Sequence, residues 1–359
     1  MNKKKIINDF LMYLRSYNKW NITQNSNKDR FEDLKRHNIP IKKLSPAQKA
    51  EIDAIYKKYG YKYSYDTHIL TYSVTGEFDA RIIPEDMFRA SLEYKLNSIE
   101  HKFVMSDKNY FEMYMPENKF PDVLIRNIEG VLYDKDRKII TEEEAENILS
   151  DYEKVVVKPS VENGSGRGVE LVTVKEKSVT KSFKKNYIVQ KLIEQHPSLS
   201  AFNESSVNVV RVTTMFMGGD VFHLSSAFRF GGEGAFTDNT VTKDGKGMTV
   251  VGIDEDGKLK EKGYFSCGLS TEKSHSGITL KGYEIPKFKE MVDLAIKQHS
   301  RFPFIKVIGW DFTVDKDGNI ITVEYNIKAP GVLYYQWVNG PLFGDRTKEI
   351  LDEIKKLPK

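Results

Sequence analysis

With 359 residues, 40% of them hydrophobic and 12% aromatic, the chain is too long for one core of usual size, and two or three packed units are expected. Its 55 Lys and Arg against 51 Asp and Glu leave a net charge of +4, too small a balance to point to a nucleic-acid partner. The single cysteine, Cys267, excludes an internal disulfide framework and a cysteine-based zinc site, and fits a reducing cytoplasm. The seven histidines are scattered without an HExxH pattern, so a catalytic zinc site is not expected either.

Residues 1–20 carry a basic head, but Asn8 and Asp9 interrupt the apolar stretch and no small-residue cleavage site follows, which speaks against a signal peptide. No window reaches the roughly 18 apolar residues that a membrane span needs. Ile6, Ile7, Phe10, Leu11 and Leu14 fall on one helical stripe beside Lys3, Lys4 and Lys5. Docking on the protein's own body is the expected use of such a stripe, with peripheral membrane contact as the alternative. Ser45, Pro46 and Gln48 mark a helix start and Gly60 its end. An extended stretch is expected near Ile69–Val74, then a helix after Pro84. Residues 1–106 thus form a mainly helical region.

Residues 107–193 differ in character. A helix near Asp107–Lys108 leads to an extended Val123–Ile125 run, and Thr141 with Glu144 caps a short helix. The strand Val155–Pro159 contains Lys158 and is followed by Asn163-Gly164-Ser165-Gly166-Arg167-Gly168 and a second alternating run, Val169–Val174. A Walker loop or a dinucleotide fingerprint needs its glycines to open a helix. Here they open a strand, as in a flexible hairpin whose backbone N–H groups could lie over a triphosphate with Lys158 behind it. A structural β-turn is the plainer alternative. The strand Tyr187–Ile193 then runs into a loop, where its backbone could meet an adenine edge or serve only the core.

Residues 194–359 form the third part. Val207–Met217 and Val221–Phe230 read as neighbouring antiparallel strands and carry Asn208, Arg211 and Arg229. Arginines in apolar strands need an anion, either a ligand or an ion-pair partner. The segment Phe230–Gly247, with Asp238 and Asn239, reads as a long mobile loop, and Pro286–Ser300 and Arg346–Lys356 as helices. Between those helices, Gly309–Asn326 reads as a hairpin turning at Asp317-Gly318 through a two-residue type I′ turn. That register puts Asp311 opposite Glu324, with Asn326 on the same face and the first two Cβ atoms about 5 Å apart. Paired carboxylates repel unless a cation joins them, and Asp, Glu and Asn are the hard oxygen donors that Mg²⁺ takes. A solvated hairpin face is the alternative.

The order of these features resembles the ATP-grasp superfamily of ATP-dependent ligases. D-Alanyl-D-alanine ligases similarly show an Asp, a Glu thirteen residues on and an Asn two beyond, as at Asp311, Glu324 and Asn326. The stretches SDKNYF, VVVKPSVENGSGRGV, HPSLSAFNESSVNVVRVTT, FRFGGEGAFTDN and GWDFTVDKDGNIITVEYNIKAPG look like the sugar-transfer-associated ATP-grasp family, from about Leu44 onward. The resemblance implies an α+β fold of two subdomains clasping ATP: a small one over 107–193 and a large one with the metal site over 194–359. It implies that Lys108, Lys158, the loop residues Gly164, Ser165, Gly166 and Gly168, and Gln190, Lys191, Ile193 and Asn208 bind ATP. Asp311, Glu324 and Asn326 would hold one or two Mg²⁺, while Arg211, Arg229 and Asn239 would steady the transferred phosphoryl group. Many ATP-grasp enzymes begin with a parallel α/β domain, whereas this N-terminal region reads as helical.

The resulting expectation is a carboxylate–amine ligase that works through an acyl phosphate. It would join an amino acid or amine to a sugar acid or amino sugar in surface polysaccharide synthesis, with a glycosyltransferase as a conceivable partner. A kinase of a small hydroxyl substrate, or a nucleotide-binding partner of glycosyltransferases without turnover, are the competing readings. Lysines, arginines and metal carboxylates without a Ser–His or Cys–His pair suit charge stabilisation better than covalent catalysis.

Overall fold

The computed structural model describes residues 3–98, 101–102, 105–161, 168–240, 242–328 and 330–357. The N-terminal part is helical, as expected. Helix α1 covers Lys3–Arg36 and α2 Pro46–Tyr56. The Ser45 hydroxyl accepts from Gln48 N–H while the Gln48 side chain accepts from Ser45 N–H, closing the expected capping box. Gly60, at φ 73°, ends the segment after one 3₁₀ turn. The extended stretch expected at Ile69–Val74 is instead a helix, α3, Asp66–Thr75. Its β-branched content suggested a strand, but Leu70 is buried with Leu34 of α1 and with residues of the helix Leu333–Asn339, and packing overrides the propensity. Short helical turns follow over Glu85–Leu96.

Two antiparallel sheets make up the rest. The smaller contains β1 (Val123–Ile128), β2 (Val131–Asp134), β3 (Ile139–Ile140), β4 (Lys154–Pro159), β5 (Glu170–Thr173) and β6 (Tyr187–Gln190), in the order β3-β2-β1-β6-β4-β5. The helix Glu142–Ser150, capped by Thr141 as expected, buries Ala145 and Leu149 against its Leu124, Val155 and Val157. The larger contains β7 (Val209–Met217), β8 (Asp220–Gly231), β9 (Met248–Ile253), β10 (Leu259–Phe265), β11 (Ser270–Thr271), β12 (Val307–Val314) and β13 (Ile320–Asn326), in the order β11-β10-β9-β8-β7-β12-β13.

Alternation along the large sheet sets up the site. Val210, Val212, Phe228, Phe230, Trp310 and Phe312 point to one face, where the helix Phe288–His299 covers them with Met291 and Ala295. The intervening residues Arg211, Arg229 and Asp311 therefore share the opposite face. Toward the other end of that face, Met215, Met217 and Val307 pack against the N-terminal region and the C-terminal helix Thr347–Lys356. Cys267 is buried and free, in keeping with a packing role. Among the described residues, no helix is long and apolar enough to cross a membrane.

One expectation is reversed. Ile7, Phe10, Leu11 and Leu14 do not dock on the body, all four being exposed; the side chain of Ile6, the fifth member of the stripe, lies outside the described residues.

Besides this packing, the Asn97 side chain ties the N-terminal region to the large sheet. Asn97 Nδ2 donates to the carbonyls of Val307 (2.7 Å) and Ile327 (2.8 Å), and its Oδ1 accepts from Lys306 N–H (2.9 Å) and Val307 N–H (3.0 Å). Asn97→Ala strands these buried groups. A loss of about 2–4 kcal/mol in urea denaturation is expected, since an unsatisfied buried polar group costs about 1–3 kcal/mol; an unchanged midpoint would contradict the clamp.

Candidate functional site

The hairpin of β12 and β13 reaches the expected pairing by a different route. Asp315 N–H donates to Asn319 O and Gly318 N–H to Asp315 O, with Gly318 at φ 83° and no positive φ at Asp317. This is a three-residue loop, a type I turn followed by a left-handed glycine, rather than a type I′ turn. The Asp315 carboxylate favours it by accepting from the N–H groups of Asp317 (3.0 Å) and Asn319 (2.8 Å). Next to the loop the register is one residue off the expected one, with Val314 opposite Ile320 and Phe312 opposite Thr322. A bulge at Val323 then restores it, so that Asp311 faces Glu324 and Gly309 faces Asn326. Without that extra residue Glu324 would point into the core.

Asp311 is buried among cations. Arg211, its cross-strand neighbour on β7, donates from Nε at 2.5 Å and from a terminal nitrogen at 2.8 Å; Arg229 on β8 donates at 3.3 Å, and Asn326 Nδ2 at 3.0 Å. Burial alone would raise the Asp311 carboxyl, but Arg211 and Arg229 outweigh it and hold it below its ordinary value. Arg229 also pairs with Asp238, at 2.6 Å, and donates to the Tyr335 hydroxyl at 2.7 Å. Burial pushes the Asp238 carboxyl up despite Arg229. The anion that the strand arginines require is thus supplied by the protein itself.

The cleft lies between this face and the small sheet and encloses about 1020 Å³, including space open to solvent. Lys158 from β4, Lys108, Glu324, Asn326, Asp311 and Arg229 line its charged part. The Lys108 ammonium stands 3.9 Å from Glu324, and Lys108 N–H donates to Ser160 O at 2.8 Å, fixing this segment to the end of β4. Burial lowers the Lys158 ammonium to about 8, with Lys108 adding to the effect and Glu324 opposing it. Val156, Val169, Val207, Val209 and Val323 line the apolar part, beside Gln190 and Ile193. Gln190 Oε1 and Asn239 Oδ1 are buried in this wall with no hydrogen-bond partner among the described residues, as donors on a polar ligand would require.

Lys108, Lys158, Gln190, Lys191, Ile193, Arg229, Asn239, Asp311, Glu324 and Asn326 therefore meet in one cleft. Asn208 does not join them: its Nδ2 donates to Leu199 O and Asn203 O and its Oδ1 accepts from Ser206, bracing the turn before β7. Arg211 is not in the cleft wall and acts on Asp311 from behind. Lys191 lines the cleft, but its ammonium turns to Asp122 at 3.3 Å. Gly164, Ser165 and Gly166 lie outside the described residues, while Gly168, at φ 75°, leads into β5. Residues 232–237 of the segment expected to be a mobile loop are hydrogen-bonded to neighbouring elements. Asn203 and Ser205 donate to Gly232 O and Ala235 O, and Thr237 bridges Val207. Asp238 and Tyr335 were not among the expected site residues; an acid beside Asn239 was a signal for the first, whereas Tyr335 had none beyond an aromatic pair.

The donor set fits a hard divalent cation. Glu324 is half exposed at the cleft, and Asp311 Oδ1 accepts one protein bond among the described residues. The two carboxylates differ in what they do for the fold. Asp311→Ala should cost about 3–5 kcal/mol by leaving buried guanidinium groups uncompensated. Glu324→Ala should cost less than about 1 kcal/mol. Equal losses in chemical denaturation would contradict this division.

The family model described as sugar-transfer associated ATP-grasp matches residues 177–352. No curated protein matches the chain. Among solved structures it is similar to D-alanyl-alanine synthetase A from Vibrio cholerae, at 13% identity over 70% of this chain and 64% of that one, with a TM-score of 0.42. VanG D-Ala:D-Ser ligase from Enterococcus faecalis gives 13% over 76% and 63%, also at 0.42. Biotin carboxylase from Campylobacter jejuni gives 15% over 72% and 48%, again at 0.42. The chain spans less than two thirds of each of these structures. Two antiparallel α+β units face one cleft beside a helical N-terminal region, and over residues 177–352 the chain is similar to the sugar-transfer associated ATP-grasp family.

Proposed function

We propose that the protein is an ATP-dependent carboxylate–amine ligase. The observation that carries this reading is the convergence of Lys108, Lys158 and the Asp311/Glu324/Asn326 hairpin on one cleft with an apolar wall beside it. In this reading the valines of the wall cover the adenine, and the Ile193 backbone, which forms no hydrogen bond among the described residues, meets its edge. Lys108 and Lys158 neutralise phosphate oxygens. Glu324, Asp311 and Asn326 hold Mg²⁺, which when bound would offset charge on the triphosphate. Arg229 lines the same cleft and is the guanidinium within reach of a transferred phosphoryl group, while Arg211 fixes Asp311.

In the first half-reaction a substrate carboxylate oxygen attacks the γ-phosphorus, and ADP leaves. In the second an amine attacks the acyl carbon, phosphate leaves and the amine loses a proton. The protein's share is positioning and charge compensation, with no nucleophile of its own. The family resemblance favours a sugar acid or amino sugar and an amino acid or other amine as substrates, within polysaccharide synthesis.

Hydroxylamine separates this from transfer to a hydroxyl. Incubation with Mg-ATP, pooled sugar acids and hydroxylamine should release ADP and a hydroxamate visible by mass spectrometry; a phosphoester with no hydroxamate would overturn the ligase reading. Glu324→Gln should lower turnover on the order of a hundredfold or more, the scale of losing one transition-state charge contact. The acidity of Lys158 gives a further check. Its ammonium is charged below a pKa of about 8 in the free protein, and a bound triphosphate raises that value. Affinity for ATP should therefore hold below pH 8 and fall above it, by up to about tenfold per pH unit. Calorimetry that finds the same affinity at pH 7 and pH 9.5 would rule out a Lys158–phosphate contact.

A further inference from the structure

Helix α1 carries two stripes on opposite sides. Met12, Ser16, Trp20, Thr23, Asn27 and Leu34 recur at spacings that keep them on one side. Thr23, Asn27 and Leu34 are buried against the body, and the other three are partly covered. Arg30, on the same side, reaches the buried Glu85 at 2.5 Å, and Lys62 lies over the Trp20 ring. The inward side is thus accounted for. Ile7, Phe10, Leu11, Leu14 and Tyr17 lie on the other side and are between 44% and 58% exposed. These are five of the largest apolar side chains on the helix, standing together in water, which an ordinary surface helix avoids.

Charge indicates what would cover them. Residues 1–20 hold Lys3, Lys4, Lys5, Arg15 and Lys19 against Asp9, a balance of 5 − 1 = +4. The whole chain is also +4, so the other 339 residues carry 50 basic and 50 acidic groups and balance to zero. All of the excess positive charge therefore sits on the helical segment that exposes the apolar stripe. A second copy of the same helix would bring two such segments together and repel. An anionic surface would not.

We infer that the N-terminal half of α1 is a docking surface for an anionic lipid bilayer. The helix lies along the interface with Ile7, Phe10, Leu11, Leu14 and Tyr17 in the headgroup region, and the net positive charge of residues 1–20 favours an anionic surface. This surface would hold the cleft close to a membrane, and it stands apart from the ligase reading because ATP turnover plays no part in its test.

The test is co-sedimentation of the full chain with phosphatidylcholine vesicles, with and without about 30% phosphatidylglycerol, a fraction chosen to give a negative surface. The protein should pellet with the anionic vesicles and bind neutral ones at least tenfold more weakly. The pair Phe10→Gln and Leu14→Gln, and separately Lys3→Gln with Lys4→Gln and Lys5→Gln, should each reduce binding at least tenfold. Both variants change residues outside the cleft and should keep the parent's denaturation midpoint and ATP affinity. Failure of the intact chain to bind anionic vesicles would overturn the proposal. So would equal binding to neutral ones, or a dimer that becomes a monomer in the Phe10→Gln/Leu14→Gln variant, which would assign the stripe to a second copy of the chain.

Discussion

The pairing of Arg211 with Asp311 across β7 and β12 is the constraint on which the site depends. Neither group would be tolerated alone in the middle of a sheet otherwise built from valine, phenylalanine and tryptophan. Together, with Arg229 and Asp238 extending the row, they form an alternating set of charges that is stable only as a set. The set fixes where the Asp311 carboxylate stands, and the register of β13 then decides what stands beside it. The bulge at Val323 decides that register: one residue fewer, and Glu324 would change faces.

Around this charged row the two sheets contribute differently. The large sheet is held from both sides, by the helix Phe288–His299 on its apolar face and by the N-terminal helices and C-terminal helix on the other, with Asn97 fastening them at Val307. It offers a rigid wall of fixed charges. The small sheet brings Lys158 and Gln190 from adjacent strands, and the Lys108 segment is hydrogen-bonded to it at Ser160. Cations on one wall and carboxylates able to hold a divalent cation on the other could together meet a polyanion. Among the described residues, the N-terminal region lines no part of the cleft, and the inference about α1 gives its outer surface a separate use.

Much of this arrangement could be read in the sequence, because strands and charges leave local marks. The apolar strands with a lone Lys158, Arg211 or Arg229 stood out because such residues have no place in a strand core without a partner. The hairpin pairing of Asp311 with Glu324 was legible, but through two departures that cancel: a longer loop than the Asp317-Gly318 dipeptide suggested, and a bulge that local pattern could not reveal. Residues 69–74 misled because β-branched side chains favour strands, whereas burial against distant helices settles the outcome. The apolar stripe of α1 was visible, but which side of the helix the body covers depends on partners such as Glu85 that sequence spacing does not locate. Tyr335 was hidden for the same reason, since Arg229 lies on another element more than a hundred residues away. Asn208 attracted attention for its place beside Arg211, yet its amide is consumed by neighbouring carbonyls.

The account rests on one triphosphate being held between Lys158 and the Asp311/Glu324/Asn326 hairpin. A crystal structure with Mg²⁺ and a non-hydrolysable ATP analogue tests it most directly. The account requires the Lys158 ammonium within hydrogen-bond reach of a phosphate oxygen, and a cation joining Glu324 to the same triphosphate. A nucleotide bound elsewhere, or one that touches the lysine while the hairpin carboxylates keep only their protein partners, would contradict it.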